Sequence, residues 1–180
     1  MSSQILKEVI KGLIWTVPAL LLIGKNPGFV KISLKEMFTV KVRWLRYLWL
    51  FALFAVYILA GAYHRTGTLA ISKDFSMDHV IILLFVGITE ETVFRGWLLN
   101  TMISDKRKWP AVSVNALMFL VIHFPRWIVE GEFIASFIGF GFLSLIALSV
   151  AFSLVFVKSK NILVPICLHT FWDLLMFLFF

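Results

Sequence analysis

The sequence predicts an all-α, multi-pass transmembrane helix bundle of about six spans, and three observations predict it. Hydrophobic residues make up 61% of the 180 residues, against roughly 45–50% in a soluble globular domain. Charged residues make up 15%, against about 25% in such a domain, and the mean hydropathy is +0.94. Apolar runs near span length recur between short basic loops. A chain of this size has too little interior to hide so much apolar surface, so the bilayer must take it up. A soluble globule, a disordered chain and a disulfide scaffold are excluded. The one cysteine, Cys167, reads as a small buried hydrophobe.

A spanning helix needs about 20 mainly apolar residues. The first candidate, Val9 to Gly24, is short and holds Pro18; it reads as either a tilted span or an interfacial segment. Lys7 and Lys11 ahead of an apolar stretch look like a signal peptide, but Ile23-Gly24-Lys25 is no small-x-small cleavage site, so the segment reads as an anchor. The second runs from Trp44 to Tyr63. The third, Val80 to Met102, is polar in its middle. The fourth is Pro110 to Phe124, and the fifth, Phe133 to Val157, is the longest and least polar. The sixth is Ile162 to Phe180. There is no internal repeat and no low-complexity linker. Residues 1–79 therefore read as N-terminal membrane anchor helices, and residues 80–180 as a polar-bearing membrane core integrated with them.

The net charge is +7. No basic patch is interleaved with an exposed aromatic platform, so nucleic acid is not an expected partner. Membrane lipid is, because Lys and Arg collect in cytoplasmic loops and touch anionic headgroups. Lys25, Lys31, Lys35, Lys41 and Arg43 fall between the first two segments; Lys106, Arg107 and Lys108 follow the third; Lys158 and Lys160 follow the fifth. The alternate loops balance Arg65 and Lys73 against Asp74 and Asp78, and Arg126 against Glu130 and Glu132. Basic loops on every other connection predict a cell-membrane protein with those loops in the cytoplasm and both termini outside.

Ionisable groups in hydrocarbon are costly and by default functional. They fall on three segments: Glu90, Glu91 and Arg95 on the third, His123 on the fourth, His169 and Asp173 on the sixth. Residues four apart share a helix face and consecutive ones point about 100° apart. Glu91 and Arg95 thus read as an ion pair with a structural role, and Glu90 points elsewhere. Each histidine alone reads equally as a helix–helix link. At about 1.5 Å rise per residue from the basic ends, Glu90 and His123 lie roughly 18–20 Å deep, Asp173 about 16 Å, and Arg95 and His169 about 10 Å. Three segments can therefore bring carboxylates and imidazoles together.

Glu90-Glu91-Thr92-Val93-Phe94-Arg95 reads EExxxR, Phe119 to His123 reads FxxxH, and His169 to Asp173 reads HxxxD. In that order on apolar helices, these motifs resemble the CPBP family of intramembrane endopeptidases, which includes the type II CaaX prenyl proteases and bacterial proteins linked to bacteriocin processing or self-immunity. The resemblance covers residues 80–180. It implies an endopeptidase acting on a membrane-associated peptide or a prenylated-protein-like substrate. By the same resemblance Glu90 is the carboxylate that activates a water, His123 its partner, His169 and Asp173 the oxyanion pair, and Glu91 and Arg95 supporting residues. The last position is usually Asn. An amide can donate to an oxyanion and an ionised Asp cannot.

The chemistry is sensible without the resemblance. Peptide hydrolysis needs an activated water, a donor for the leaving amine and a stabilised oxyanion. Two histidines and carboxylates could also bind Zn²⁺, but the HExxH spacing is absent; the expectation is a metal-free site without a cofactor, entered from the cytoplasm. Two rivals are a proton-coupled carrier, for which no inverted repeat or paired broken helices are found, and a catalytically silent immunity or scaffold protein, which Asp173 keeps open.

Overall fold

The computed structural model describes residues 3–139 and 141–180. Every regular element among them is helical. Helix α1 (Ser3–Lys25) leads through a turn at Pro27–Phe29 to the short α2 (Leu34–Thr39). Ser33 starts α2 with a reciprocal cap: its Oγ accepts from the Glu36 N–H at 3.3 Å and its own N–H donates to Glu36 Oε2 at 2.8 Å. These donors hold the Glu36 carboxyl below its ordinary range, the Ser33 N–H most of all. Helix α3 (Leu48–Thr66) stops at Gly67, whose φ of +73° closes the end through an N–H bond to the Tyr63 carbonyl.

Helix α4 (Met77–Glu91) does not end but widens into a π-helical stretch, Thr92–Leu99, before a last α turn, α5 (Asn100–Met102). Then come α6 (Lys108–Val121), α7 (Phe124–Val129), α8 (Phe133–Ile138), α9 (Gly141–Ser159) and α10 (Leu163–Phe179). Helix α1 packs parallel to α4 and its π continuation, with Gly12 against Thr89 and Ile23 against Gly96; α10 packs on α4 and α3, and α9 on α6. One apolar cluster, with Ile23, Met37, Leu99, Val112 and Phe156, fills the basic end. A second, with Leu50, Phe54, Phe152 and Leu168, joins α3, α9 and α10.

By length and apolarity alone, three of the described helical runs can cross a membrane: Leu48–Thr66, Lys108–Val129 and Gly141–Ser159; α10 is a shorter apolar helix. Helix α1 is long enough, but it carries Lys7, Glu8 and Lys11 in its first half. The third segment starts earlier than expected, at Met77, where Ser76 caps it. The single fifth span expected over 133–157 is two helices. Glycine is about 1 kcal/mol poorer than Ala inside a helix, and Gly139 caps the end of α8 while Gly141 opens α9. Cys167 is also corrected: it is exposed on the outer face of α10.

The three basic connections meet at one end. Asn100 clamps Ile32, donating from Nδ2 to its carbonyl at 2.7 Å and accepting its N–H at 2.9 Å. Lys31 pairs with Asp105. Asn161 Nδ2 donates to the Val40 carbonyl, and the Ile162 N–H to that of Met37, both at 2.9 Å. At the opposite end the Ser72 N–H reaches the Leu178 carbonyl at 2.7 Å, and Arg65 sits over the Phe180 ring. Most lysines and arginines thus cluster at one end, with only Glu36 and Asp105 against them.

The α4–α10 contact is close because Gly87 has no side chain: a β-carbon there would sit 2.5 Å from Thr170 Oγ1 and 3.4 Å from the Ile166 carbonyl. Gly87→Val is expected to lower unfolding stability in detergent by about 1–3 kcal/mol, and Thr170→Ala in the same chain to recover part of the loss. Thermal unfolding of the two variants checks this.

Candidate active site

The site is built outward from a side chain with no exposed surface. Arg95, on the π turn, donates from Nη1 to Glu91 Oε1 at 2.9 Å and from Nη2 to the Ser149 hydroxyl at 2.8 Å and carbonyl at 3.2 Å. Its guanidinium lies over Phe119, 4.5 Å from the ring centroid, and 5.4 Å from that of Phe152. Four helical elements therefore meet on one cation. Asn115 fastens α6 to the same region: its Nδ2 donates to the Phe94 carbonyl at 2.6 Å, and its Oδ1 accepts from Ser153 at 3.2 Å.

Glu91 does more than the structural pairing its spacing suggests. The same Oε1 accepts from His169 Nδ1 at 2.8 Å, and Phe152 stacks on the imidazole at 5.2 Å. A carboxylate accepting at Nδ1 fixes both tautomer and orientation. The other nitrogen, Nε2, lies 3.4 Å from Asp173 Oδ2 and 3.8 Å from Glu90 Oε2. His123, at the end of α6, donates from Nδ1 to the Phe119 carbonyl at 2.8 Å. A carbonyl can only accept, so a neutral His123 carries its bare lone pair at Nε2.

Glu90, His123, His169 and Asp173 line one cavity of about 410 Å³. Glu91 and Arg95 are sealed behind it with none of their side-chain surface exposed, while Glu90 keeps 13% and Asp173 23%. The two adjacent glutamates thus divide as the 100° rotation predicts. Sequence reading missed Ser149, which accepts from Arg95, and Ser153 and Asn115, which bond to each other beside it. The available signals were Ser149 and Ser153, four apart on one face of a mainly apolar helix, and Asn115, a lone amide within the fourth apolar segment.

The lining places the cavity along the bundle. None of the cavity's lining residues belongs to the basic loops; they come from the first half of α1, the upper turns of α4, the junction of α6 and α7, the first half of α9 and the second half of α10. The Glu8–Lys11 pair and the exposed Arg126 and Phe177 mark its rim. The cavity therefore lies towards the end remote from Lys31, Lys106 and Lys160. Among the described residues no three His, Cys, Asp or Glu are arranged to hold a metal ion.

Comparison with known proteins bears on this arrangement. The family described as type II CAAX prenyl endopeptidase Rce1-like matches residues 74–175, more than half of the chain, and its match spans every one of the cavity's ionisable groups except Glu8 and Lys11. No curated protein and no solved structure matches. The class is that of helical membrane proteins of the intramembrane-protease type. The chain belongs to the Rce1-like, type II CAAX prenyl endopeptidase family.

Removing one partner of a buried pair costs about 3–5 kcal/mol because the other charge is left uncompensated. Glu91→Gln is expected to destabilise on that scale, and Ser149→Ala by about 1–3 kcal/mol. Glu90→Gln, at the cavity wall, should leave unfolding nearly unchanged. Equal thermal shifts for Glu90→Gln and Glu91→Gln would refute the division between them.

Proposed function

We propose that the protein is an intramembrane endopeptidase that hydrolyses a peptide bond of a membrane-associated substrate with a water activated by Glu90 and His123. The observation that carries this reading is the convergence of Glu90, His123, His169 and Asp173 on one cavity, backed by a fully buried Glu91–Arg95 pair. Glu90 takes a proton from the water, whose oxygen adds to the scissile carbonyl. His123 accepts at Nε2 and orients that water. His169, as imidazolium held at Nδ1 by Glu91, donates from Nε2 to the oxyanion. Glu90 then returns its proton to the leaving amine as the C–N bond breaks. The water is activated without a metal ion.

Purified protein incubated with a panel of membrane-tethered peptides, prenylated and unprenylated, and read by mass spectrometry, tests this directly. Glu90→Gln and His123→Ala should each lower cleavage by about 10²–10⁴-fold, and chelator should leave wild-type activity intact. Absence of any product across the panel, with the fold intact, would favour the silent scaffold reading, which Asp173 in place of the family's usual Asn supports.

Asp173 helps an oxyanion directly only while protonated, and otherwise by holding His169 one turn away. Asp173→Asn supplies a permanent donor. Activity is expected to be kept or raised, and to hold up better on the alkaline side than in wild type. A sharp loss in Asp173→Asn together with chelator-sensitive wild-type activity would mean that Asp173 serves as a metal ligand.

In the cell membrane the lysine-rich end faces the cytoplasm, and the cavity then opens towards the outer face, which selects substrates presented there. In a Cys167→Ser background, single cysteines near Lys31, Lys106 and Lys160 should be protected from an impermeant reagent in intact cells, and those near Ser72 and Glu132 labelled. The reverse pattern would turn the cavity to the cytoplasm.

A further inference from the structure

Helix α3 packs chiefly on α10, and a cleft runs along the outside of α3 and α9. At its basic end lies a cavity of about 590 Å³ lined by Arg46, Lys108 and Lys158, with Trp49, Trp109 and Tyr47 beside them. The three cations come from three separate connections, ahead of α3, at the start of α6 and at the end of α9. All three are exposed, no carboxylate lines the cavity, and none of the three has an ion-pair partner among the described residues. Lys108 lies over the Trp109 ring, 5.3 Å from its centroid. The lower wall is apolar, and Trp49, Leu50 and Ala151 continue it into a second cavity of about 430 Å³ running between α3 and α9. That second cavity ends on Leu148 and Trp172, which also line the cavity holding Glu90 and His169.

A cationic head joined to an apolar slot is the complement of one kind of molecule. We propose that this cleft binds an anionic phospholipid, its headgroup phosphate between Arg46, Lys108 and Lys158 and one acyl chain in the slot along α9. Basic pockets between helices at the cytoplasmic side suit such headgroups, and indole and phenol rings sit at headgroup level. A free anion would use the cations but leave the slot empty. A zwitterionic lipid would fill the slot but bring its own cation to a site that lacks any anion. Between Lys158 and Leu148 the slot follows α9 for about 15 Å. A chain lying there rests against the far side of Leu148 and Trp172, so the lipid forms part of the wall of the candidate active site. The binding claim stands on this cleft alone and does not depend on the protease reading.

The test is native mass spectrometry of the full chain released from bilayer discs of equal phosphatidylglycerol and phosphatidylcholine. Wild type should retain phosphatidylglycerol at least tenfold over phosphatidylcholine. Arg46→Gln, Lys108→Gln and Lys158→Gln together should abolish that preference, whereas Lys35→Gln, Lys41→Gln and Lys106→Gln, which remove the same charge from the same end outside the cleft, should keep it. Ala151→Trp, which fills the slot without changing charge, should also lower retention. Equal retention of the two lipids by wild type, equal loss in both triple variants, or full displacement of phosphatidylglycerol by millimolar inorganic phosphate would overturn the proposal. Peptide cleavage is measured separately, so failure to bind lipid and failure to cleave are distinguishable.

Discussion

A guanidinium with no exposed surface inside an apolar bundle is the constraint around which this molecule is arranged. Burying an ion costs several kcal/mol unless it is paired and its remaining protons are satisfied. Arg95 is paired and bonded at both terminal nitrogens, though not at Nε, by parts drawn from across the fold: Glu91 from its own helix, both oxygens of Ser149 from α9, and the faces of Phe119 from α6 and Phe152 from α9. Glu91 in turn holds His169 of α10. The relative placement of four helices is thus set by one cation, and the cavity is the space that remains on the far side of that network. The facing of His169 into the cavity is held by side chains with no exposed surface of their own.

Much of this was legible in the sequence, and the limit of legibility is physical. Spacing alone pairs Glu91 with Arg95 and sets Glu90 apart, because both statements depend only on helical rotation. That Glu91 also orients His169 depends on how α4 and α10 are rotated against each other, which no local pattern encodes. The π turn at Thr92–Leu99 is illegible for the same reason, since an i→i+5 turn is stabilised by what packs around it. The end of α8 at Gly139 and the start of α9 at Gly141 were marked by those two glycines, but the length and apolarity of the run hid them. The depth of the cavity was within reach of arithmetic: roughly 18–20 Å from the basic end, in a hydrocarbon layer about 30 Å thick, already passes the midplane.

The two ends of the bundle therefore have different chemistry. The end with Lys31, Asn100 and Asn161 is tied together by main-chain clamps and carries most of the positive charge. The other end is looser in its connections and near neutral, with Arg126 and Glu130 paired on its surface and the polar cavity below. Main-chain clamps are concentrated at one end and the cavity's ionisable groups lie towards the other, with the family-matched region spanning both.

The widened turn after Glu91 has a consequence for how this chain can vary. An i→i+5 turn holds, in effect, one residue more than α-helical winding would need. Deleting one position between Thr92 and Leu99 lets the stretch relax to ordinary winding with the helices on either side near their present register, so the glutamates and Asn100 keep their facing. A further deletion has no such reserve: it turns everything below by about 100° relative to the glutamates and takes Asn100 away from Ile32. The stretch therefore carries room for the loss of one residue and no more.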